Sequence, residues 1–400
     1  MILRSNTVRR FDEFEAVRGM AAVAVVVFHA YQQAREPYSD SHPGWHVVLH
    51  NLDTLVDLFF VLSAFLLTTP WIQASVNQRQ PQSARGYLVR RAIRILPVYW
   101  VAILVVWAAR TAQFPGDWRD LLEHLTFTQV FDTKRIFFTI GPAWSLAVEG
   151  MFYLFLLVVG LLLHRLCSSL RHHGLRLAAW SVVPVLMATV GCWWIWWSQY
   201  VRLVPPTHYS TWFGPMAKLP VFAVGVAAAV LVAALPAGVA LRGPLPMLLR
   251  LVGFAVVGWA WVWREQAGGV LHEQWVHPVA AIGFAMVLAA SALAPGGGLS
   301  ERFLGARPLL ILGTISYSVY IWHEPVLRLL ATHNVVFTES NGPFLAGAAV
   351  LLPLALLAGW LSYWIVEYPV MQVKTALDRT GRLIDPYVDQ PSSSLLHEKA

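Results

Sequence analysis

The run "AVAVVVFHAY" at residues 22–31 decides the fold class, because it is apolar enough to lie in a membrane and carries one histidine, His29. An imidazole in the hydrocarbon core loses its water and needs a polar partner, so it is a candidate functional group. A hydrogen-bonded packing role is the simpler alternative for an isolated histidine. The choice depends on how many other ionisable groups lie inside apolar runs.

The composition of the 400-residue chain is that of a membrane protein. Hydrophobic residues make up 57% of it and charged residues only 13%, against about 25% charged residues in soluble domains. The sequence therefore predicts an all-α fold, a polytopic membrane protein of about ten transmembrane helices. Runs long enough to cross a bilayer core of about 30 Å can be placed at 17–35, 53–72, 95–112, 143–163, 177–198, 216–235, 247–263, 276–294, 309–331 and 343–366.

The basic residues predict the orientation of these helices. With the N-terminus in the cytoplasm, 20 of the 29 Lys and Arg residues fall in cytoplasmic segments, as the positive-inside rule requires. We therefore expect both termini in the cytoplasm, the first run retained as a helix, and a multi-pass location in the inner (plasma) membrane. The net charge of +7 does not indicate nucleic-acid binding, because the basic residues lie between apolar runs.

Two regions are expected along the chain, an integral membrane domain at residues 1–376 and a polar cytoplasmic tail at residues 377–400. The tail ends in "DQPSSSLLHEKA", a composition typical of disordered segments. Cys167 and Cys192 are the only cysteines and lie near opposite ends of one predicted span, which implies no disulfide and no cysteine-based metal site. We predict no bound metal and no permanently bound cofactor.

Arg18 and His29 share one face of the first predicted helix. They are 11 residues apart, which is close to three turns and about 16 Å along the axis. In the predicted orientation, Arg18 lies near the cytoplasmic surface and His29 lies beyond the bilayer midpoint. The alternatives are that Arg18 extends to the interface and that His29 only packs.

Other polar groups inside the predicted spans favour a functional role for His29. Such groups normally face a bundle interior or a wet cavity, so the sequence predicts a polar cavity within the bundle. Ser145 and Glu149 are four residues apart and hence on one helical face. The remaining candidates are Asp57, Ser63, Ser316, Tyr317, Ser318, His323, Glu324 and Glu367.

A basic cluster, Arg90, Arg91 and Arg94, comes just before the third predicted span. It is explained equally well as a positive-inside anchor or as a guanidinium group that binds phosphates. Together with a deep histidine and a buried carboxylate, the second interpretation suggests chemistry between a cytosolic phosphate-bearing cofactor and a group reached through the bundle. Histidine is suited to removing a hydroxyl proton, because its ordinary pKa is near 6.5.

These motifs resemble those of the membrane-bound acyltransferase family 3, whose members O-acylate sugars and other hydroxyl acceptors. The resemblance covers most of the chain, and about ten helices fit the family fold. The departures are mild: Glu15 stands where the family usually has Asp, and Ala16 and Ala64 stand where it usually has Gly. The matching stretches, in order, are "FEAVRGMAAVAVVVFHA", "DLFFVLSAFLL", "RRAIRILPVYW", "WSLAVEGMFYL", "LGTISYSVYIWHEP" and "IVEYPV".

The resemblance implies a donor, an acceptor and a set of site residues. The donor is acyl-CoA, with acetyl-CoA the commonest in the family, acting as a co-substrate whose phosphates would contact Arg18, Arg90, Arg91 and Arg94. The acceptor is a hydroxyl of an extracytoplasmic or lipid-linked carbohydrate, such as a glycolipid or surface polysaccharide. Implied catalytic residues are His29 as general base, Glu149 to orient it or hold the acceptor, and Ser145; Trp144, Tyr317 and His323 are implied in substrate binding.

Several alternatives stay open. Ser145 or Tyr317 could donate to the oxyanion, and an acyl-His or acyl-Ser intermediate could form. The acceptor could be a small secreted metabolite such as a macrolide sugar. A transporter or flippase would also contain intramembrane charges, but the two matching halves common in transporters are not evident here.

Overall fold

The computed structural model describes residues 2–34, 43–110, 117–236, 239–266, 273–294, 299–336 and 344–379, and all regular structure in these ranges is helical. The predicted all-α class is therefore confirmed. The α-helices are α1 (Ile2–Ala34), α2 (Pro43–His50), α3 (Leu55–Val76), α4 (Ala84–Arg110), α5 (Trp118–Leu125), α6 (Ala143–Ser169), α7 (His173–Trp196), α8 (Tyr209–Trp212), α9 (Pro215–Ala234), α10 (Leu245–Gln266), α11 (Val276–Leu293), α12 (Leu299–Leu304), α13 (Arg307–Thr332), α14 (Phe344–Ser362) and α15 (Tyr368–Arg379).

Nine helical segments among the described residues are long and apolar enough to cross a membrane. Helix α13 is the tenth long helix; its 26 residues span about 39 Å at 1.5 Å per residue. It is less apolar than the others because serines, tyrosines, His323 and Glu324 interrupt its hydrophobic sequence. The polar groups of α13 are mostly buried, so they face the bundle and not the surface.

The outer surface of the bundle suits contact with lipid. On α6, Leu154, Val158, Leu162 and Leu166 recur every fourth residue and are 49–58% exposed. Residues at this spacing share one helical face. A continuous exposed apolar face is a liability in water but is the ordinary surface of a transmembrane helix, which supports the multi-pass membrane assignment.

Helices α1 and α13 pack closely because glycines face each other at their crossing. A Cβ atom on Gly19 would lie 2.6 Å from the backbone nitrogen of Gly313, and one on Gly313 would lie 2.2 Å from the carbonyl oxygen of Glu15. Small residues are what allow helices to approach closely within a membrane. Since Gly19 faces Gly313 and His29 contacts His323, the two helices run in the same direction.

Helices α3 and α9 form the centre of the bundle. Phe60, Trp71 and Ile72 of α3 are at most 1% exposed. Helix α9 approaches α3 closely at Gly225, where a Cβ atom would lie 2.5 Å from the carbonyl oxygen of Val61. This rigid centre holds the polar side chains of the surrounding helices around the cavities described below.

Residues 117–142, which lie before α6, are bonded to α4 and α13. Tyr99 donates to the carbonyl oxygen of His124, and Arg328 donates to that of Phe137.

The short helix α5 in this range begins at an Asp117 cap, whose side chain accepts a hydrogen bond from the backbone N–H of Asp120. That hydrogen bond and the Arg135 guanidinium lower the pKa of the Asp117 carboxyl. Arg135 also bonds Asp132, at 2.9 Å, so charge pairs fix this segment in place.

The start of the third predicted span differs from the structure. Helix α4 begins at Ala84 and not at residue 95, because the turns that carry the basic cluster are helical although they are not apolar. The cluster therefore lies within the helix. The predicted tail, residues 377–400, lies outside the described residues except for its first three positions, which end α15.

Candidate active site

A cavity of about 510 Å³ lies inside the bundle beside His29. Its wall is built from α1, α3, α6, α9, α10 and α13 and the segments between them, so it depends on the whole fold. Aromatic rings and charged side chains share the wall. The aromatic members are Phe28, Tyr31, Phe137, Trp144, Tyr209, Phe213 and Tyr320, and the charged members are Asp53, Asp57, Lys218, Arg264, Glu273, Glu324 and Arg328.

His29 and His323 form a pair at this cavity. His29 Nδ1 lies 2.9 Å from the carbonyl oxygen of Val25 and 3.2 Å from His323 Nε2. A carbonyl oxygen only accepts, so the Val25 contact assigns the proton of a neutral His29 ring to Nδ1. Nε2 of His29 then keeps its lone pair, which is the state that a general base requires.

A second, smaller cavity of about 60 Å³ contains Arg18 and Glu149. Glu149 Oε1 accepts hydrogen bonds from Ser63 and from Tyr153, the latter at 2.7 Å. Glu149 thus lies in the same cavity as Arg18. Among the described residues, the side chain within hydrogen-bonding distance of the His29 ring is that of His323 and not that of Glu149.

Tyr320 separates the two cavities. It lines both of them, as Val56 does, and its hydroxyl lies 2.7 Å from Ser145 Oγ. Ser145 in turn donates to the carbonyl oxygen of Pro142, at 2.9 Å. Tyr317, the tyrosine implied from the sequence, also lines the smaller cavity, and its hydroxyl donates to the carbonyl oxygen of Ile95 at 2.7 Å. The position of Tyr320 one turn before His323 is the signal that could have identified it.

The basic residues lie on the side of the smaller cavity. Arg18 pairs with Glu15 at 3.2 Å, and Arg94 is within electrostatic range of Arg18 and of Glu367.

The other two arginines of the cluster differ in their contacts. Arg91 lies over the ring of Tyr153, 5.9 Å from its centroid, while Arg90 donates to Gln82 at 2.9 Å. Since Tyr153 bonds Glu149, Arg91 is the more closely tied to the smaller cavity.

An ion-pair network that the sequence analysis did not identify lines the larger cavity. Arg264 Nη1 bonds Asp53 at 3.0 and 3.1 Å, and its Nε bonds Glu273 at 3.0 Å. Nδ1 of His277 lies 2.6 Å from an oxygen of Asp57. Arg328 pairs with Glu324. The carboxylates of the wall are therefore each matched by a cation or an imidazole.

Lys218 is a charged side chain of this wall that is not part of the ion-pair network. It is 1% exposed, and its ammonium lies 5.6 Å from the ring centroids of both Trp144 and Phe213. Among the residues that the structure describes, none gives it a hydrogen bond or an ion pair within 4 Å. Its place in the predicted span 216–235 could have marked it, because a lysine within a span is a candidate functional residue.

Comparison with known proteins identifies the family of this chain. The profile of acyltransferase family 3, described as an acyltransferase domain, matches residues 11–364. No solved structure matches the chain.

Two curated relatives come from Staphylococcus aureus. O-acetyltransferase OatA of strain NCTC 8325 is 23% identical over 386 residues, covering 90% of this chain and 57% of the relative. The putative O-acetyltransferase SACOL0978 of strain COL is 20% identical over 396 residues, covering 91% of this chain and 59% of the relative. The chain thus spans less than two thirds of these relatives. With its multi-pass fold and a family match over most of its length, this chain belongs to acyltransferase family 3.

Proposed function

We propose that this chain is an O-acyltransferase that moves an acetyl group from cytosolic acetyl-CoA to a hydroxyl of an extracytoplasmic or lipid-linked carbohydrate. The observation that carries the proposal is the position of His29. It lines a cavity large enough for a sugar ring, while an arginine-bearing cavity lies on the other side of Tyr320. The similarity to O-acetyltransferases from Staphylococcus aureus supports acetyl as the group transferred.

The donor would bind on the side of the smaller cavity. Arg18, Arg91 and Arg94 supply guanidinium groups for its phosphates, with Arg90 at the edge of the cluster, and guanidinium binds phosphate through paired hydrogen bonds. The smaller cavity, at about 60 Å³, has to widen to admit the thioester arm. Rotation of Tyr320 away from Ser145 would join it to the larger cavity and bring the thioester to His29.

The chemical step would follow from the protonation of His29. Its Nε2 removes the proton of the acceptor hydroxyl as that oxygen attacks the thioester carbonyl carbon. The C–S bond then breaks, and the leaving thiolate takes the proton from the imidazolium. Once it has rotated away from Ser145, Tyr320 would donate to the developing oxyanion. The protons of Ser145 and Tyr317 are donated to the carbonyl oxygens of Pro142 and Ile95.

The acceptor would occupy the larger cavity. Sugars present hydroxyl edges and flat apolar faces, and the wall offers both carboxylates and aromatic rings, Trp144 among them. In the proposed orientation, with both termini in the cytoplasm, α1 and α13 run outward in parallel and place His29 and His323 towards the outer half of the plasma membrane.

The test is transfer of labelled acetyl by the purified full chain in lipid vesicles. Labelled acetyl-CoA is the donor and a cell-envelope glycan extract is the acceptor. His29→Ala and His29→Gln should lose transfer at least a hundredfold, as general bases commonly contribute 10² or more. His333→Ala, at an exposed histidine of the α13 terminus, is the matched control and should retain it. Near-normal turnover of both His29 variants would remove His29 from the mechanism.

A further inference from the structure

Two histidines and one glutamate from distant parts of the chain meet beside the larger cavity. His46 and His50 lie four residues apart on α2 and therefore on one helical face, and Glu265 lies at the end of α10. One ligand atom from each of the three lies within 4.8 Å of the others. The site could not be predicted from spacing alone, because Glu265 is more than 200 residues from the histidines.

Hydrogen bonds from the neighbouring residues Tyr31 and Asn51 orient these side chains. The Tyr31 hydroxyl lies 2.5 Å from His46 Nδ1, which leaves His46 Nε2 directed at Glu265. Asn51 Nδ2 donates to Glu265 Oε1 at 2.9 Å. Histidines and carboxylates that bind metals are typically held by such partners on the side away from the ion.

A purely hydrogen-bonded cluster explains only part of this geometry. His50 Nδ1 to Glu265 Oε1, at 2.7 Å, is a good hydrogen bond. His46 Nε2 to Glu265 Oε2, at 3.4 Å, is long for one. That spacing equals the separation of two ligand atoms in a tetrahedral site with bonds of about 2.0–2.1 Å, which is about 3.3–3.4 Å.

We propose that His46, His50 and Glu265 bind a zinc ion at the edge of the larger cavity. Two imidazoles and a carboxylate favour zinc over calcium or magnesium, which prefer oxygen ligands. Glu265 would offer Oε2, the oxygen at 3.4 Å from His46 Nε2, so binding breaks the hydrogen bond between His50 Nδ1 and Oε1 and leaves Oε1 to Asn51. The ion joins α2 to α10, and its fourth position is open to water.

The proposal does not depend on the acyl-transfer mechanism, so its test measures binding. The full chain, purified in detergent without a histidine tag and stripped with chelator, is titrated with zinc alone by calorimetry. Bound metal after dialysis is counted by mass spectrometry. We expect one equivalent of zinc and a rise in the unfolding temperature on binding.

Variants identify the ligands. His46→Gln/His50→Gln and Glu265→Gln should each lower zinc affinity at least a hundredfold, and Tyr31→Phe should lower it about tenfold to a hundredfold, as loss of an outer partner does. His172→Gln/His173→Gln, at an exposed pair on the α7 terminus, should bind zinc as the unaltered chain does. Equal zinc binding by the His46/His50 variant, or loss of zinc in the His172/His173 variant, would overturn the proposal. So would a chain that binds no zinc.

Discussion

His29 and His323 are neighbours, with 3.2 Å between His29 Nδ1 and His323 Nε2. His29 and His323 are as far apart in the sequence as Gly19 and Gly313 are. The two glycines face each other on the same two helices, ten residues before the histidines. The glycine contact therefore sets the register of α1 against α13, and that register brings the histidines together. This relationship makes His323 the nearest candidate to orient the proposed base.

We expect His323→Ala to lower kcat at least tenfold without changing KM for acetyl-CoA. The change removes the group that faces the proton-bearing nitrogen of His29, while the donor side keeps its contacts. His323→Gln should recover part of the activity, because its amide oxygen can accept from His29 Nδ1. Steady-state kinetics in vesicles measure both effects. Equal loss in the two variants would indicate that His323 acts only by filling space.

We expect Gly313→Ala to lower both stability and activity. Its Cβ would lie 2.2 Å from the Glu15 carbonyl oxygen, so α1 and α13 must separate, and overpacking of this kind costs about 1–3 kcal/mol. The unfolding temperature and acetyl transfer report the change. Gly258→Ala, on α10 with no atom near the new Cβ, is the control and should leave both unchanged. A fully active Gly313→Ala variant would contradict the role assigned to the crossing.

We expect Arg91→Ala to raise KM for acetyl-CoA about tenfold or more, as loss of one charge-assisted hydrogen bond does. Arg85→Ala removes the same charge from an exposed position of the same helix. If Arg91 binds a donor phosphate, only the first variant changes KM. If the cluster is only a membrane anchor, the two variants behave alike, and the kinetics with acetyl-CoA distinguish these outcomes.

The fold class followed from the sequence because apolar runs of about 20 residues have few alternatives to a transmembrane helix. Helix boundaries were less predictable, since α4 continues through basic turns that are not apolar. Pairing between helices could not be predicted at all. Spacing placed Ser145 and Glu149 on one face, but the contacts of Glu149 with Ser63, and of Ser145 with Tyr320, depend on tertiary packing.

In the larger cavity, too, the contacts between side chains of different helices could not be predicted from the sequence. Asp57 and Glu324 were recognised as intramembrane polar groups, yet their partners, His277 and Arg328, were not. Lys218 was missed because its span is otherwise strongly apolar. A rule that treats every intramembrane charge as a candidate would have selected it, but only the structure places it over Trp144.

We expect Lys218→Met to raise KM for the acceptor about tenfold while leaving KM for acetyl-CoA unchanged. The buried ammonium lies in the proposed acceptor cavity, where it can donate to an acceptor oxygen, and hydrogen bonds to charged groups contribute about 1.5–3 kcal/mol. Methionine is apolar and of similar length, so the variant removes a buried charge without opening a cavity, and the unfolding temperature should stay the same or rise. Lys134→Met, at an exposed position outside the helices, is the matched control. A Lys218→Met chain that unfolds at lower temperature with an unchanged acceptor KM would instead make Lys218 a counter-charge for Asp57, the carboxylate with the largest electrostatic effect on it.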